Sequence, residues 1–337
     1  MLKSHHWALA LAGAVLSCPF PSFVAVALEP TAFLEDFAGN PAANGWNTFG
    51  DAALFRWNAT EQNLEVTWDS AQPNSYFSRP LGKMLTREAD FSLSFDLRLR
   101  DLAIGTTPGK PFTFELAIGF LNLAQATQSD FLRGTGTSSP NLVEFDYFPD
   151  SGFGATISPT IISSDMNFAS TFNSPLELTL TDLFRVVLTY TADDEKLTTT
   201  ITKNGQPFGP IKQVSLPSEF TDFQVDQVAI MSYSDAGQDP QFGGSILAHG
   251  VVDNFIVTVG KQATLDMALT GSRGSNGWQV EFDARPDWTY ELHRTADFLS
   301  WTLVASEPSR SRGRMILSDP NAPTSGAQFY RVFGQQP

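Results

Sequence analysis

The chain has 337 residues, 42% of them hydrophobic and only 17% charged, with a formal net charge of −15. A surface this acidic repels nucleic acid and anionic membranes, so neither is expected as a partner. The one cysteine, Cys18, sits near the start, which excludes a disulfide framework, and no later segment reaches the ~18 apolar residues of a membrane span.

Residues 1–27 read as a signal peptide. Lys3 and the His5-His6 pair precede an apolar run from Trp7 to Leu16, and Ala25-Val26-Ala27 has the small–x–small form of a cleavage site. The protein is therefore expected to be secreted or held at the cell surface, with a lipid anchor at Cys18 as the alternative. Without the leader the chain holds 36 acidic and 20 basic residues. Residues 28–261 carry 28 and 13 of them, residues 262–337 only 8 and 7, so the acidity belongs to the first part.

From Leu28 to Gly50 the chain is loop-like around Phe33, Phe37 and Trp46, with Asn40-Pro41 and Asn44-Gly45 as turn signals. Leu64, Val66 and Trp68 alternate with Glu65 and Thr67 and predict a strand. In Phe91–Arg100, Phe91, Leu93, Phe95, Leu97 and Leu99 alternate with polar residues, so one face is core and the other wet. Phe112–Phe120 repeats the pattern, with Glu115 among its polar positions. Further strands are expected at Phe184–Tyr190, Leu197–Thr202, Phe223–Tyr233 and Val251–Val259, and Asn204-Gly205 is a hairpin signal. No window keeps a 3.6-residue apolar period. These features predict an all-β chain, an antiparallel jelly-roll β-sandwich over residues 28–260. A small β-module follows over 261–337, with strands at Leu265–Leu269, Trp278–Phe282, Thr289–His293 and Phe329–Phe333.

One stretch, Asn141–Asp150, stands out. Glu144 and Asp146 share one face of a strand, and Val143, Phe145 and Tyr147 the other. Two acids at that spacing repel unless a cation, a proton or a substrate intervenes. Arg133, Lys110 and loop amides are the partners the chain itself offers. For stacking on sugar rings, Trp57 and Tyr76 are the leading candidates because both lie in polar stretches, and Tyr147 neighbours the acids. Trp68 is in phase with Leu64 and Val66 and reads as core. The glycine-rich run Phe131–Gly136 has no helix after it, which speaks against a phosphate cradle. His249 has no nucleophilic partner suggested by spacing, so a hydrolase triad has no support.

Val143-Glu144-Phe145-Asp146 resembles the metal-binding strand of legume-type lectins, within the concanavalin A-like lectin/glucanase superfamily. Asn63–Trp68 and the closing Gly250–Phe255 resemble strands of laminin G-like jelly rolls. By resemblance, Glu144 would face a transition metal and Asp146 would bridge it to calcium, with the Phe148 carbonyl and Asp150 completing the calcium side. Ala155 and Thr160 stand where the family has Asp and His, so the resemblance leaves an oxygen-only calcium site, to which Asp165 could contribute. A second calcium site is implied at Asp36 and Asp253. Laminarinase-like glycosidases in the same superfamily would make Glu144 the nucleophile, with Asp146 tuning it. Their acid/base position holds Phe148 or Pro149 here, so a third carboxylate such as Glu115 would have to serve. Tyr290–Thr302 and Phe329–Val332 resemble a short fibronectin III-like module.

The resulting expectation is a secreted, non-catalytic protein that binds glycan or another extracellular ligand, calcium-assisted and without an organic cofactor. The alternatives are a polysaccharide-active hydrolase or lyase using Glu144, and a structural or adhesive surface protein.

Overall fold

The computed structural model describes residues 31–133, 138–238, 241, 243–262, 269–274, 277–285, 288–298, 300–310, 313–324 and 326–335. The expected leader, part of the glycine-rich run and all but one residue of Leu265–Leu269 lie outside the described residues. The chain forms two compact units, Leu28–Gln262 and Ala263–Pro337.

In the first unit the strands are β1 Thr31–Glu35, β2 Asn47–Phe49, β3 Phe55–Asn58, β4 Asn63–Asp69, β5 Ser75–Leu85, β6 Ala89–Ile104, β7 Leu116–Leu121, β8 Leu142–Phe148, β9 Thr156–Ile162 and β10 Phe168–Ser170. Then come β11 Phe184–Thr191, β12 Lys196–Lys203, β13 Gln206–Phe208, β14 Val214–Ser215, β15 Val225–Ser232 and β16 Ile246–Gln262. They make two antiparallel sheets. The back sheet runs β13-β12-β11-β6-β16-β4-β3, with β1 also on β16 and β14 on β12. The front sheet runs β10-β9-β8-β7-β15-β5-β2. Consecutive strands β11–β13 and β7–β10 pair at one end of each sheet, while the pairs β6–β16, β16–β4, β7–β15 and β15–β5 join strands distant in the chain, as in a jelly roll.

The alternation in β6 has the expected consequence. Phe91, Leu93, Phe95, Leu97 and Leu99 are buried between the sheets. Phe95 meets Phe145 of the front sheet edge-on at 5.7 Å, and Phe91 meets Phe120 in the same way at 5.1 Å. Aromatic pairs in this geometry add to the area they bury. The hairpin at Asn204-Gly205 has φ of +49° and +80°, which matches a two-residue turn between β12 and β13.

Three expectations change. The loop-like stretch to Gly50 contains two strands, β1 and β2. The strand predicted from Phe112 begins at Leu116, because Phe112 turns aside to a single parallel bridge with Gly244 and is 55% exposed. The front sheet also lacks the wet face that alternation implies: all residues of β7 and β9, and all but the last of β8, are buried. Residues 122–133 cover that face, with Arg133 bonded to Glu144 and Asp146. Their short helix α1, Leu123–Ala126, is capped by the Asn122 side chain and tied down by Asp226 bonding Leu123 N at 3.0 Å.

The second unit holds β17 Thr270–Gly274, β18 Gly277–Ala284, β19 Trp288–Thr295, β20 Thr302–Ser309, β21 Gly313–Asp319 and β22 Phe329–Gln335. They form two three-stranded sheets, β17-β18-β21 and β20-β19-β22. Val280, Phe282, Trp288, Tyr290, Leu292 and Leu317 are among its core residues. Buried Asp319 joins the two sheets by accepting from Arg294 at 2.6 Å and Tyr330 at 2.9 Å.

Candidate functional site

Glu144 and Asp146 lie on one face of β8 as expected, and that face points away from the back sheet. The neighbours across the ladder are small. Glu144 sits between Gly119 and Thr160, and Asp146 between Ala117 and Ser158. At Gly119 a Cβ would come within 2.1 Å of the Val143 carbonyl oxygen, so only glycine fits. The space above these residues is filled by Arg133. Its Nε donates to Glu144 at 3.0 Å and its Nη2 to Asp146 at 2.8 Å, while Glu115 lies 3.9 Å from Nε.

The loop that delivers Arg133 is itself fastened. Asn74 donates to the Phe131 carbonyl at 3.1 Å, and the Tyr76 hydroxyl to the Ala126 carbonyl at 2.9 Å. The Tyr233 hydroxyl donates to Glu144. Arg133 is 6% exposed, Glu115 2%, and Glu144 and Asp146 0%.

Three carboxyl groups therefore share one guanidinium in a dry space. Burial drives the Asp146 carboxyl well above the usual carboxylate range. Arg133 opposes that shift, and Glu144 and Glu115 add to it. A proton on Asp146 relieves the excess negative charge. Burial acts against the charged form of Arg133, but the carboxylates outweigh it and hold the guanidinium charged. The Tyr233 phenol is likewise pushed up, by burial first and Glu144 second, and keeps its proton to donate.

This arrangement corrects the catalytic and metal expectations at β8. Glu144, Asp146 and Glu115 come together, but they face Arg133 and are closed to a substrate. Asp146, the Phe148 carbonyl and Asp150 do not form a cation cage: Asp146 is bonded to Arg133, and Asp150 turns to cap Gly152 N at 3.0 Å. The residues do not fit calcium there, since the guanidinium already supplies the positive charge. Among the described residues no group of three or more His, Cys, Asp or Glu side chains is placed to hold a metal ion. Asp165, suggested as a further ligand, instead bonds Ser163, Thr221 and Asn167. Lys110 pairs with Asp235 at 2.6 Å, away from the acids.

The aromatic platforms are corrected too. Tyr76 is 0% exposed and Tyr147 1%, with its hydroxyl accepting from Leu178 N at 3.2 Å. Trp57 lies on β3, packs against the core and donates its indole N–H to the Phe37 carbonyl at 2.9 Å. Tyr76 and Tyr147 offer no ring face, and Trp57 is half-buried against the core. The polar stretches around Trp57 and Tyr76 suggested loops, whereas both residues are strand positions with one side turned inward.

An open site lies elsewhere, on the outer face of the back sheet. A groove of about 460 Å³ runs over β4, β16 and β6 to Leu183, just before β11, with Asn63, Asp96, Arg98, Arg100, Val251 and Asp253 among its lining. A bulge in β16 shapes it. Between Asp253 and Ile256 the register with β6 shifts, and Asn254 takes a φ of +47°. Asn254 Nδ2 then donates to Asp96 at 2.8 Å, and its carbonyl accepts from Arg185 at 2.8 Å. Glu65 accepts from Arg56, Arg100 and Asn58, and the Asn58 bond does most to hold its carboxyl low. The Asp253 carboxyl is half-buried and raised, by burial first and then by Asp96 and Asp36. Asp36 and Asp253 are thus near enough to repel one another, while Asp36 caps Ala38 N at 3.1 Å. Spacing alone could not reveal this groove, because its residues come from three strands and two connecting stretches far apart in the chain.

No family model matches the chain, and no curated protein is similar to it. Among solved structures it is similar to peanut lectin with a bound nonapeptide, at a TM-score of 0.41 and 17% identity over 69% of this chain and 99% of that one. It is similar to winged bean acidic lectin complexed with methyl-α-D-galactose, at 0.43 and 14% over 69% and 100%. A Bacillus subtilis protein with a galectin-like fold gives 0.39 and 10% over 70% and 98%. At these scores the likenesses carry no argument about ligand or chemistry, and the jelly-roll assignment stands on the strand order itself.

Proposed function

We propose that the protein is a secreted, non-catalytic saccharide-binding jelly roll that meets its ligand in the groove on the back sheet. The acid pair of β8 serves as a structural brace in this reading. The observation that carries it is the groove itself, an open recess lined by carboxylate, carboxamide and guanidinium groups. Ligand sites of this size combine a few placed polar groups with apolar contact, and these side chains are the ones that bond hydroxyls. A sealed, internally neutralised cluster such as Arg133–Glu144–Asp146 has nothing left to offer a substrate.

The test is binding of the purified chain to an oligosaccharide array, beside a Val251→Trp variant that fills the groove floor. Saccharide binding that falls about tenfold or more in the variant supports the reading. Release of reducing ends from any polysaccharide, abolished by Glu144→Gln, would replace it with the hydrolase. Secretion is checked by N-terminal sequencing of exported protein, with Leu28 expected as the first residue.

A further inference from the structure

Resting on that reading of the groove, we infer that its ligand is a neutral saccharide unit, held through adjacent hydroxyl groups by Arg98, Asp253 and Asn63. The argument starts from the bonds the groove's polar groups already make. Asp96 is occupied by Arg185 and Asn254, and Arg100 by Glu65. Three groups keep unused capacity. Arg98 is exposed and has no hydrogen-bond or ion-pair partner among the described residues. Asp253 accepts one bond, from Asn254 N to Oδ1 at 2.7 Å, and no cation pairs with it among the described residues. The Asn63 side-chain oxygen is buried and has no hydrogen-bond partner among the described residues.

What remains in this one groove is a donor-only guanidinium and two acceptors, a carboxylate oxygen and an amide oxygen. A ligand that satisfies all three must both accept and donate. Vicinal hydroxyls do so with one kind of group, accepting from Arg98 while donating to Asp253 and Asn63. Val251 and Leu183 give the groove apolar surface against which the C–H face of a sugar ring can rest.

Charge argues the same way. The lining groups Glu61, Asp96, Asp253, Arg98 and Arg100, with their bonded neighbours Glu65, Arg185 and Arg56 and with Asp36 near Asp253, come to five acids and four arginines. In a unit with 28 acidic and 13 basic residues, this patch is close to balanced. The patch therefore gives no net attraction to an anionic ligand, and the acidic protein around it repels one. An ammonium ligand would satisfy Asp253 and leave Arg98 facing a like charge.

The experiment titrates the full chain with neutral oligosaccharides, with oligogalacturonate and with chitosan oligomers. The set is repeated on Arg98→Ala, Asp253→Ala and Asp253→Asn, with Thr189→Ala as a control on the same outer face. The expected result is binding of a neutral oligosaccharide that weakens about tenfold or more in each alanine variant. Asp253→Asn, which keeps an acceptor oxygen, should recover part of that loss, and Thr189→Ala should bind as the parent does. Circular dichroism of each variant separates lost binding from lost folding. Preferential binding of oligogalacturonate or chitosan overturns the neutral class while leaving a saccharide-binding protein. Neutral binding indifferent to Arg98 and Asp253 overturns this assignment, and no binding by any class overturns the functional reading as well.

Discussion

Two faces of the same sandwich carry arginine among carboxylates, and they differ in almost everything that follows from it. On the front sheet, Arg133 and its three acids are at most 6% exposed, so each charge depends on its partner. On the back sheet, the Arg56–Glu65–Arg100 cluster sits in water, with the Arg56 side chain 70% exposed. The Coulomb attraction is the same in kind, but burial removes the solvent that would compensate a missing partner. The buried cluster becomes structure, and the exposed one leaves groups free for a ligand.

The sharpest way to break this comparison is Arg133→Met. It strands three buried carboxyl groups and is expected to cost about 3–5 kcal/mol in urea unfolding, enough to prevent folding in a marginal protein. Equal stability of this variant and the parent would show that the acids are not braced as described.

Acid provides the next test. The Asp146 carboxyl is raised in the folded state, so its favourable contribution is complete below the unfolded value of about 3.8 and is lost as pH rises through the folded value. Asp146→Asn mimics the protonated side chain at all pH. Compared with the parent by urea unfolding from pH 4 to 8, it should gain relative stability as pH rises. A difference independent of pH would mean that Asp146 is ionised inside the fold.

The smallest effect belongs to the open face. Arg98→Ala is expected to leave unfolding free energy within about 0.5 kcal/mol of the parent, whatever it does to binding. Removal of the exposed Arg56–Glu65 pair should cost no more than about 1 kcal/mol. A large loss at either position would mean that the groove face, too, is part of the scaffold.

The strands show how far residue patterns reach. The period of two in Phe91–Arg100 states which side is core, and the register with β11 and β16 obeys it. The pairing of Glu144 with Asp146 on one face was equally legible, because side-chain alternation is local geometry. Whether that face is wet was not. Residues 122–133 cover it through contacts such as the Tyr76 hydroxyl with the Ala126 carbonyl at 2.9 Å, which link residues 50 apart. Trp57 and Tyr76 misled for a related reason: polar neighbours mark one side of a strand as readily as a loop.

By itself, the amino-acid order determined an all-β chain, the inward faces of its long strands, the Asn204-Gly205 turn and two acids on one side of β8. Each depends on dihedral preference and on a repeat of two. Only the tertiary structure decided that Arg133 stands where a cation would be needed, that Tyr76 and Tyr147 are core, and that Asn63, Arg98 and Asp253 line one groove. Those outcomes depend on which distant strands become neighbours and on what water is left between them, and the distance along the chain encodes neither.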